Sequence, residues 1–143
     1  MDQEQQTIWR ILQESRSIAV VGLSARPDRP SHEVAQYLQR HGYRILAVNP
    51  AYAGSRILGE HCHATLADAA AALQKEGAGI DIVNCFRRAE EVGAAVDDAI
   101  AIGARCVWLQ LGVIDAQAAA RASRAGLAVV MDKCIKIEHM QLR

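Results

Sequence analysis

Residues 17–50 read SIAVVGLSARPDRPSHEVAQYLQRHGYRILAVNP, and this stretch decides the fold of the chain. Residues 18–21 form a continuous apolar run with β-branched side chains, which is typical of a parallel strand covered on both faces. Gly22 ends the run, and a helix capped by its first serine is predicted over residues 31–41. A second buried strand follows over residues 44–48. The stretch is therefore predicted to be a strand, a loop, a helix and a strand.

The loop between the first strand and the helix has the chemistry of an anion site. It carries Ser24, Arg26 and Arg29, and it leads to Ser31, the predicted N-cap. The first amides of a helix have no partner within the helix and lie at the positive end of its dipole, so a phosphate is stabilised there. Each arginine can alternatively be solvated surface, and Ser24 can serve the turn alone.

The same loop lacks the pattern of a dinucleotide site. Such a site needs G-x-G-x-x-G and an acidic residue at the end of the second strand. Here Gly22 is followed by Ser24 in place of the second glycine, and the second strand runs into Asn49 and Pro50. The pattern favours a phosphate-rich nucleotide other than an ordinary NAD.

Strands and helices alternate along the rest of the chain. Further strands are predicted over residues 80–85, 105–109 and 128–131, and helices over residues 65–73, 89–102 and 115–124. Residues 51–63 are predicted to be a loop, and residues 1–16 an accessory helical segment. This alternation predicts an α/β fold with one doubly wound parallel sheet of five strands, in the order 3-2-1-4-5. The ligand crevice would lie between strands one and four, at their carboxyl ends.

Length and charge restrict the class of protein. The 143 residues are predicted to form one domain, residues 1–143. Sixteen basic and sixteen acidic residues cancel, so no net field attracts nucleic acid or a membrane surface. The first residues do not read as a signal peptide, and no apolar stretch approaches the ~20 residues of a membrane span. A cytoplasmic location is expected.

The cysteines and histidines suggest no metal site. Cys62, Cys85, Cys106 and Cys134 show no C-x-x-C spacing, and Cys85 and Cys106 are expected in the core. His61 and His63 flank Cys62, but adjacent residues rarely converge on one zinc ion.

The tail, residues 132–139, reads DKCIKIEH. Lys133 and Lys136 flank Cys134, which would make an exposed thiol reactive. The preferred interpretation is that Cys134 and Ile137 pack and the lysines are solvated, since no base is recognisable.

Four motifs in order resemble one protein family: residues 20–50, DIVNCFRR from Asp81, VWLQLGV from Val107 and VVMDKCIKIEH from Val129. They are similar to the small bacterial CoA-binding proteins, which resemble the nucleotide-binding domain at the start of the succinyl-CoA synthetase alpha subunit. The resemblance covers nearly the whole chain after the first helix. It implies a CoA or acyl-CoA ligand, with the pyrophosphate on the first loop and the adenosine half beside Val48, Asn49 and Pro50.

Binding of CoA without catalysis is therefore the expected function, and the partner is a small molecule rather than nucleic acid or a membrane. Phe86 and Arg87 are either a lid and a cation near adenine or a strand-end pair with no ligand role. The predicted cofactor-binding residues follow the ends of the strands: Gly22, Leu23, Ser24, Arg26, Arg29, Ser31, Val48, Asn49, Pro50, Phe86, Arg87, Gln110 and Gly112. An NAD(P)-dependent oxidoreductase domain is the first alternative. A thiol or metal sensor using Cys62, Cys134 and the nearby histidines is the second.

Overall fold

The computed structural model describes residues 2–142, and all bounds below refer to that part of the chain. The strands are β1 (Ser17–Val21), β2 (Arg44–Val48), β3 (Arg56–Ile57), β4 (Glu60–His63), β5 (Ile82–Cys85), β6 (Cys106–Leu109) and β7 (Ala128–Val130). The helices are α1 (Gln3–Glu14), α2 (Pro30–Arg40), α3 (Leu66–Lys75), α4 (Ala89–Ala101), α5 (Ala116–Arg124) and α6 (Ile135–Met140). A short 3₁₀ helix over Pro50–Tyr52 follows β2.

The strands form one sheet with helices on both faces. Its order is β3-β4-β2-β1-β5-β6-β7, and every neighbouring pair is parallel except β3 and β4. Side chains of α3, α4 and α5 pack on one face, and those of α1, α2 and α6 pack on the other. The chain therefore has the Rossmann-like α/β architecture that its alternating pattern predicted, built on a mixed sheet.

The predicted strand order is wrong in one place. The third predicted strand, β5, pairs with β1 through Ile18↔Ile82 to Val21↔Cys85, and does not lie outside β2. All four β5 residues are buried, so this strand needs a central position with both faces and both edges covered. The crevice where the order reverses consequently lies between β1 and β5.

The edge beyond β2 is occupied by a hairpin in the segment predicted to be a loop. β4 pairs with β2 through Ala47↔Cys62 and Val48↔His63, and the two-residue β3 pairs antiparallel with β4. β4 reads EHCH and buries only Cys62, which suits a strand near the edge of the sheet, where the two-residue β3 is its outer neighbour. So short and polar a segment gives almost no strand signal in the sequence, and the predicted number of five strands was therefore too low.

Two local predictions also need correction. α2 begins at Pro30 with Arg29 as N-cap, so the predicted N-cap Ser31 lies within the first turn, where its hydroxyl accepts from the Ser24 amide instead. Proline suits the first helical position because its missing amide would have had no partner there.

Ile137 is 48% exposed on α6, so the expected packing of this side chain was wrong.

The predicted first helix and the predicted core cysteines are confirmed. α1 is capped by Asp2, whose carboxylate accepts from the Gln5 amide, and it buries Ile8 and Leu12 against the sheet. Cys85 and Cys106 are buried in their strands. Among residues 2–142, no helix is long and apolar enough to cross a membrane.

Candidate functional site

The carboxyl ends of β1 and β5 meet at Gly22. This glycine has a φ of +90°, and a Cβ added there would lie 2.6 Å from the Phe86 carbonyl oxygen. Its amide donates to the Val48 carbonyl at 2.8 Å, and the Phe86 amide donates to the Val21 carbonyl at 2.9 Å. Only glycine fits both this backbone conformation and this approach. The loops that follow β1 and β5 are thereby held against each other.

The first loop is organised by its own serines. The Ser24 amide donates to the Ser31 hydroxyl at 3.0 Å, and the Ser24 hydroxyl accepts from the Arg26 amide at 3.1 Å. Arg26 and Arg29 are exposed at the rim, and the Arg26 guanidinium lies 3.2 Å from the Asp28 carboxylate. The loop therefore presents two exposed cations above a backbone that hydrogen bonds hold in place.

Asn49 ties the end of β2 to the first loop. Its side-chain amide donates to the Leu23 carbonyl at 3.1 Å, and its side-chain oxygen accepts from the Ala51 amide at 3.0 Å. Leu23 itself is fully buried in the core, so its side chain packs under the loop rather than facing solvent. Asn49 thus has a structural role in addition to its place beside the crevice.

A cavity of about 490 Å³, the loop cavity, opens above these residues. Its walls are Gly22, Ser24, Arg26, Arg29, Pro30, Ser31, Asn49, Ala51, Tyr52, Phe86 and Arg87. Most of the predicted site residues are among them. The structure therefore brings together the first loop, the end of β2 and the end of β5, as the motifs implied.

A second cavity, the strand-end cavity, lies on the α3 and α4 face of the sheet and measures about 350 Å³. Val48 and Pro50 line it together with Val21, Leu66 and Arg87. Three carboxylates also line it, those of Glu90, Glu91 and Asp98. The predicted residues of β2 are thus divided between two cavities, with Asn49 in one and its two neighbours in the other.

A third cavity, the tail cavity, measures about 740 Å³ and was not foreseen from the sequence. It is lined by Pro30, Glu33, Val34, Phe86, Arg87, Arg88, Gln110, Leu111, Val113, Cys134, Lys136, Ile137 and Met140. The C-terminal tail supplies one wall, and α2 and the loops after β5 and β6 supply the rest. Its tail residues belong to a motif that the family resemblance includes, but no periodicity showed that they face the first loop.

Gln110 anchors the floor of the tail cavity. Its side-chain oxygen accepts from the Asn84 amide and from the Ile135 backbone amide, each at 3.3 Å. Both partners are fully buried. Gln110 therefore fixes the start of α6 to the end of β6.

Gly112 lies apart from these walls. The residue is exposed at a turn with a φ of +84°, and its amide donates to the Asp132 carboxylate at 2.7 Å. Like Leu23, it lines none of the three cavities described for residues 2–142. Its contact with Asp132 instead positions the beginning of the tail.

Arg87 is the side chain that lines all three cavities. It is 23% exposed, and its guanidinium lies 3.5 Å from the Glu91 carboxylate one helical turn away. Pro30 and Phe86 line both the loop cavity and the tail cavity. The three spaces thus adjoin around Arg87 at the point where the strand order reverses, and together they are called the branched crevice.

The thiols differ in environment. Burial raises the pKa of the Cys106 thiol to about 12 and also raises the pKa of the Cys85 and Cys62 thiols. Cys134 is half-buried and lines the tail cavity. Core thiols of this kind are neutral at physiological pH and therefore poor nucleophiles.

His61 and His63 do not form a metal centre with Cys62. Their rings lie 4.8 Å apart, while the Cys62 thiol is buried and donates to the Asn49 carbonyl at 3.5 Å. Burial lowers the pKa of His63, and the neighbouring His61 lowers it further to a smaller extent. Within residues 2–142, no three side chains of His, Cys, Asp or Glu are arranged to hold a metal ion.

Comparisons with known proteins agree with this geometry. The CoA binding domain family model matches residues 16–140. YneT from Bacillus subtilis (strain 168) is 39% identical over 132 residues, which cover 92% of this chain and 91% of that protein. A solved structure from Thermus thermophilus is 31% identical, has a TM-score of 0.86, and matches over 100% of both chains. A hypothetical protein from Pyrococcus horikoshii OT3 is 33% identical with a TM-score of 0.86, covering 96% of this chain and 91% of that one. The chain therefore belongs to the CoA binding domain family.

Proposed function

We propose that this protein binds CoA or an acyl-CoA in the branched crevice and has no catalytic activity of its own. The observation that carries the proposal is the meeting of three cavities at Arg87, directly above the backbone approach of Gly22 to Phe86. CoA is itself a three-part ligand, with an adenosine, a pyrophosphate and a long neutral arm. Each part has a matching cavity.

The loop cavity suits the pyrophosphate. Gly22 leaves room for a close approach of phosphate to the backbone, and the Ser31 amide in the first turn of α2 has no carbonyl within the helix to bind. Arg29 and Arg26 supply positive charge at the rim, and hydrogen bonds from arginine to phosphate are among the strong ones.

The strand-end cavity suits the adenine base. Val48, Pro50 and Leu66 offer apolar contact, and the carboxylates nearby can accept from an exocyclic amino group. Those same carboxylates repel phosphate, so the ribose phosphate of CoA is expected on the side of the loop cavity. There it lies beside the neutral Asn49 rather than an acidic side chain.

The end of β2 argues against NAD as the ligand. An NAD site usually places a carboxylate there for the ribose hydroxyls, whereas Asn49 has its amide committed to Leu23 and Ala51. No histidine lines the three cavities formed by the described residues, and the Glu33 carboxylate is paired with Lys136 at 2.8 Å. Cys134 therefore has no evident general base, which supports binding without catalysis.

Side-by-side calorimetry with CoA and NAD⁺ tests this proposal. CoA should bind in the micromolar range, with a free energy of about −7 to −9 kcal/mol. Binding of NAD⁺ that equals or exceeds that of CoA would contradict it. Incubation with acetyl-CoA should release no thiol above the background rate, and release that disappears in Cys134→Ser would show that the tail is an active site.

A further inference from the structure

We infer that the tail cavity, which receives the neutral arm of CoA, also holds an apolar acyl chain at the end of that arm, so that the protein prefers a medium-chain acyl-CoA to free CoA. This inference rests on the proposed function, since it assumes that the phosphates of CoA lie in the loop cavity. It adds the chemical class of the acyl group, a fatty chain rather than a short or charged one.

The walls of the tail cavity are largely apolar. Val34, Val113, Leu111, Ile137 and Met140 line the tail cavity with apolar side chains. Three of them are large and exposed, Leu111 at 61%, Ile137 at 48% and Met140 at 50%. Exposed apolar side chains gathered around one concavity mark a place where apolar surface is covered by a ligand.

The tail cavity adjoins the loop cavity. Pro30, Phe86 and Arg87 belong to the walls of both spaces. A ligand with its phosphates near Arg29 can therefore pass Phe86 and enter the tail cavity. The two spaces are polar and cationic at one end and apolar at the other, which matches a molecule that carries its charge at one end and a fatty chain at the other.

The cationic side chains at the rim of the tail cavity are paired with carboxylates of the protein. Lys136 pairs with Glu33 at 2.8 Å, and its ammonium lies 5.5 Å from the centre of the Tyr37 ring. Arg87 and Arg88 share the Glu91 carboxylate, at 3.5 and 3.8 Å. Because these cations already have partners, an acyl group that ends in a carboxylate gains little by entering, whereas an alkyl chain gains from apolar burial.

The cavity is also held open by bonds within the protein. Ile135, the first residue of α6, is fully buried, and its backbone amide donates to the Gln110 side-chain oxygen. The Trp108 indole donates to the Lys133 carbonyl at 2.9 Å, just before that helix. The tail wall is therefore preformed, which lowers the ordering cost of binding.

Calorimetry of the full chain with CoA, acetyl-CoA, octanoyl-CoA and succinyl-CoA tests the inference. Each methylene group that becomes fully buried can tighten binding about fourfold, so octanoyl-CoA should bind at least about tenfold more tightly than CoA. Succinyl-CoA should bind no more tightly than CoA. Octanoyl-CoA that binds only as well as CoA would overturn the inference and leave the proposed function standing. Failure of all four ligands would overturn the proposed function itself.

A matched pair of variants tests where the acyl chain lies. Ile137→Ser should lower the ratio of octanoyl-CoA to CoA affinity at least about threefold, because it removes apolar surface from the wall. Ile114→Ser is the control, since Ile114 is 55% exposed but is not among the lining residues. Equal ratios in both variants would overturn the assignment. So would a change in oligomeric state with Ile137→Ser that leaves the ratio intact, because it would mean that another copy of the chain covers these side chains.

Discussion

The first loop and the C-terminal tail face each other across one crevice, yet they are shaped by different means. Both leave a strand through a residue in the left-handed region, Gly22 after β1 with φ +90° and Asp132 after β7 with φ +61°. At Gly22 the conformation is free of strain, and the missing Cβ is needed for contact with Phe86. At Asp132 an ordinary side chain is held there while its carboxylate accepts from the Gly112 amide.

The difference shows how local sequence and tertiary contact share the construction of a site. A glycine after an apolar run announces a tight backbone turn at the level of the sequence. An aspartate in a charged tail gives no such signal, because its conformation depends on a partner 20 residues away. The first wall of the crevice is therefore visible in the sequence, and the second is not.

The largest effect is expected at the first loop. Gly22→Ala combines a positive φ with a Cβ placed 2.6 Å from the Phe86 oxygen, so the free energy of unfolding should fall by about 2–5 kcal/mol. Gly54→Ala is the matched control, since its φ is +88° and nothing lies within 4 Å of the added carbon. The free energy of unfolding of this control, measured by urea denaturation, should fall by only about 1–2 kcal/mol. Equal losses would mean that the approach to Phe86 relaxes without cost.

The second largest effect is expected on CoA affinity when an arginine of the first loop is removed. Arg29→Ala should weaken CoA binding by about 1.5–3 kcal/mol if its guanidinium contacts a phosphate. Arg26→Ala should have the smaller effect, because the Arg26 guanidinium is already paired with Asp28. Arg124→Ala, in the last turn of α5, provides a control for the loss of one positive charge. If calorimetry finds all three variants alike, phosphate recognition lies outside the first loop.

The tail should respond more weakly. Asp132→Ala removes the acceptor of the Gly112 amide and keeps a positive φ, so unfolding should become easier by about 1–2 kcal/mol. Asp132→Gly should lose less, because glycine adopts this conformation freely. Asp132→Asn should stay near the parent, since asparagine keeps an acceptor and tolerates this backbone region. If Asp132→Gly is less stable than Asp132→Ala, the stability of the turn does not depend on the positive φ at residue 132.

Many residues that line the candidate crevice could be picked out from the sequence because they lie in short segments with local rules. The loop after Gly22, the end of β2 and the end of β5 all follow buried apolar runs, and parallel strands bring their carboxyl ends to one edge. The order of the strands was not predicted correctly, because pairing depends on which strands must be covered at both edges. The β3–β4 hairpin escaped detection since EHCH has no apolar alternation.

The α/β alternation, the glycine at the first turn and the two arginines of the first loop can be read from the sequence alone. Periodicity and backbone preference act over a few residues, and these features need nothing further. The place of β5 beside β1 and the use of the Asn49 amide within the protein depend on tertiary packing. So does the closure of the crevice by the tail, opposite α2. Those outcomes depend on buried contacts between residues far apart in the chain, where no short-range pattern indicates the partner.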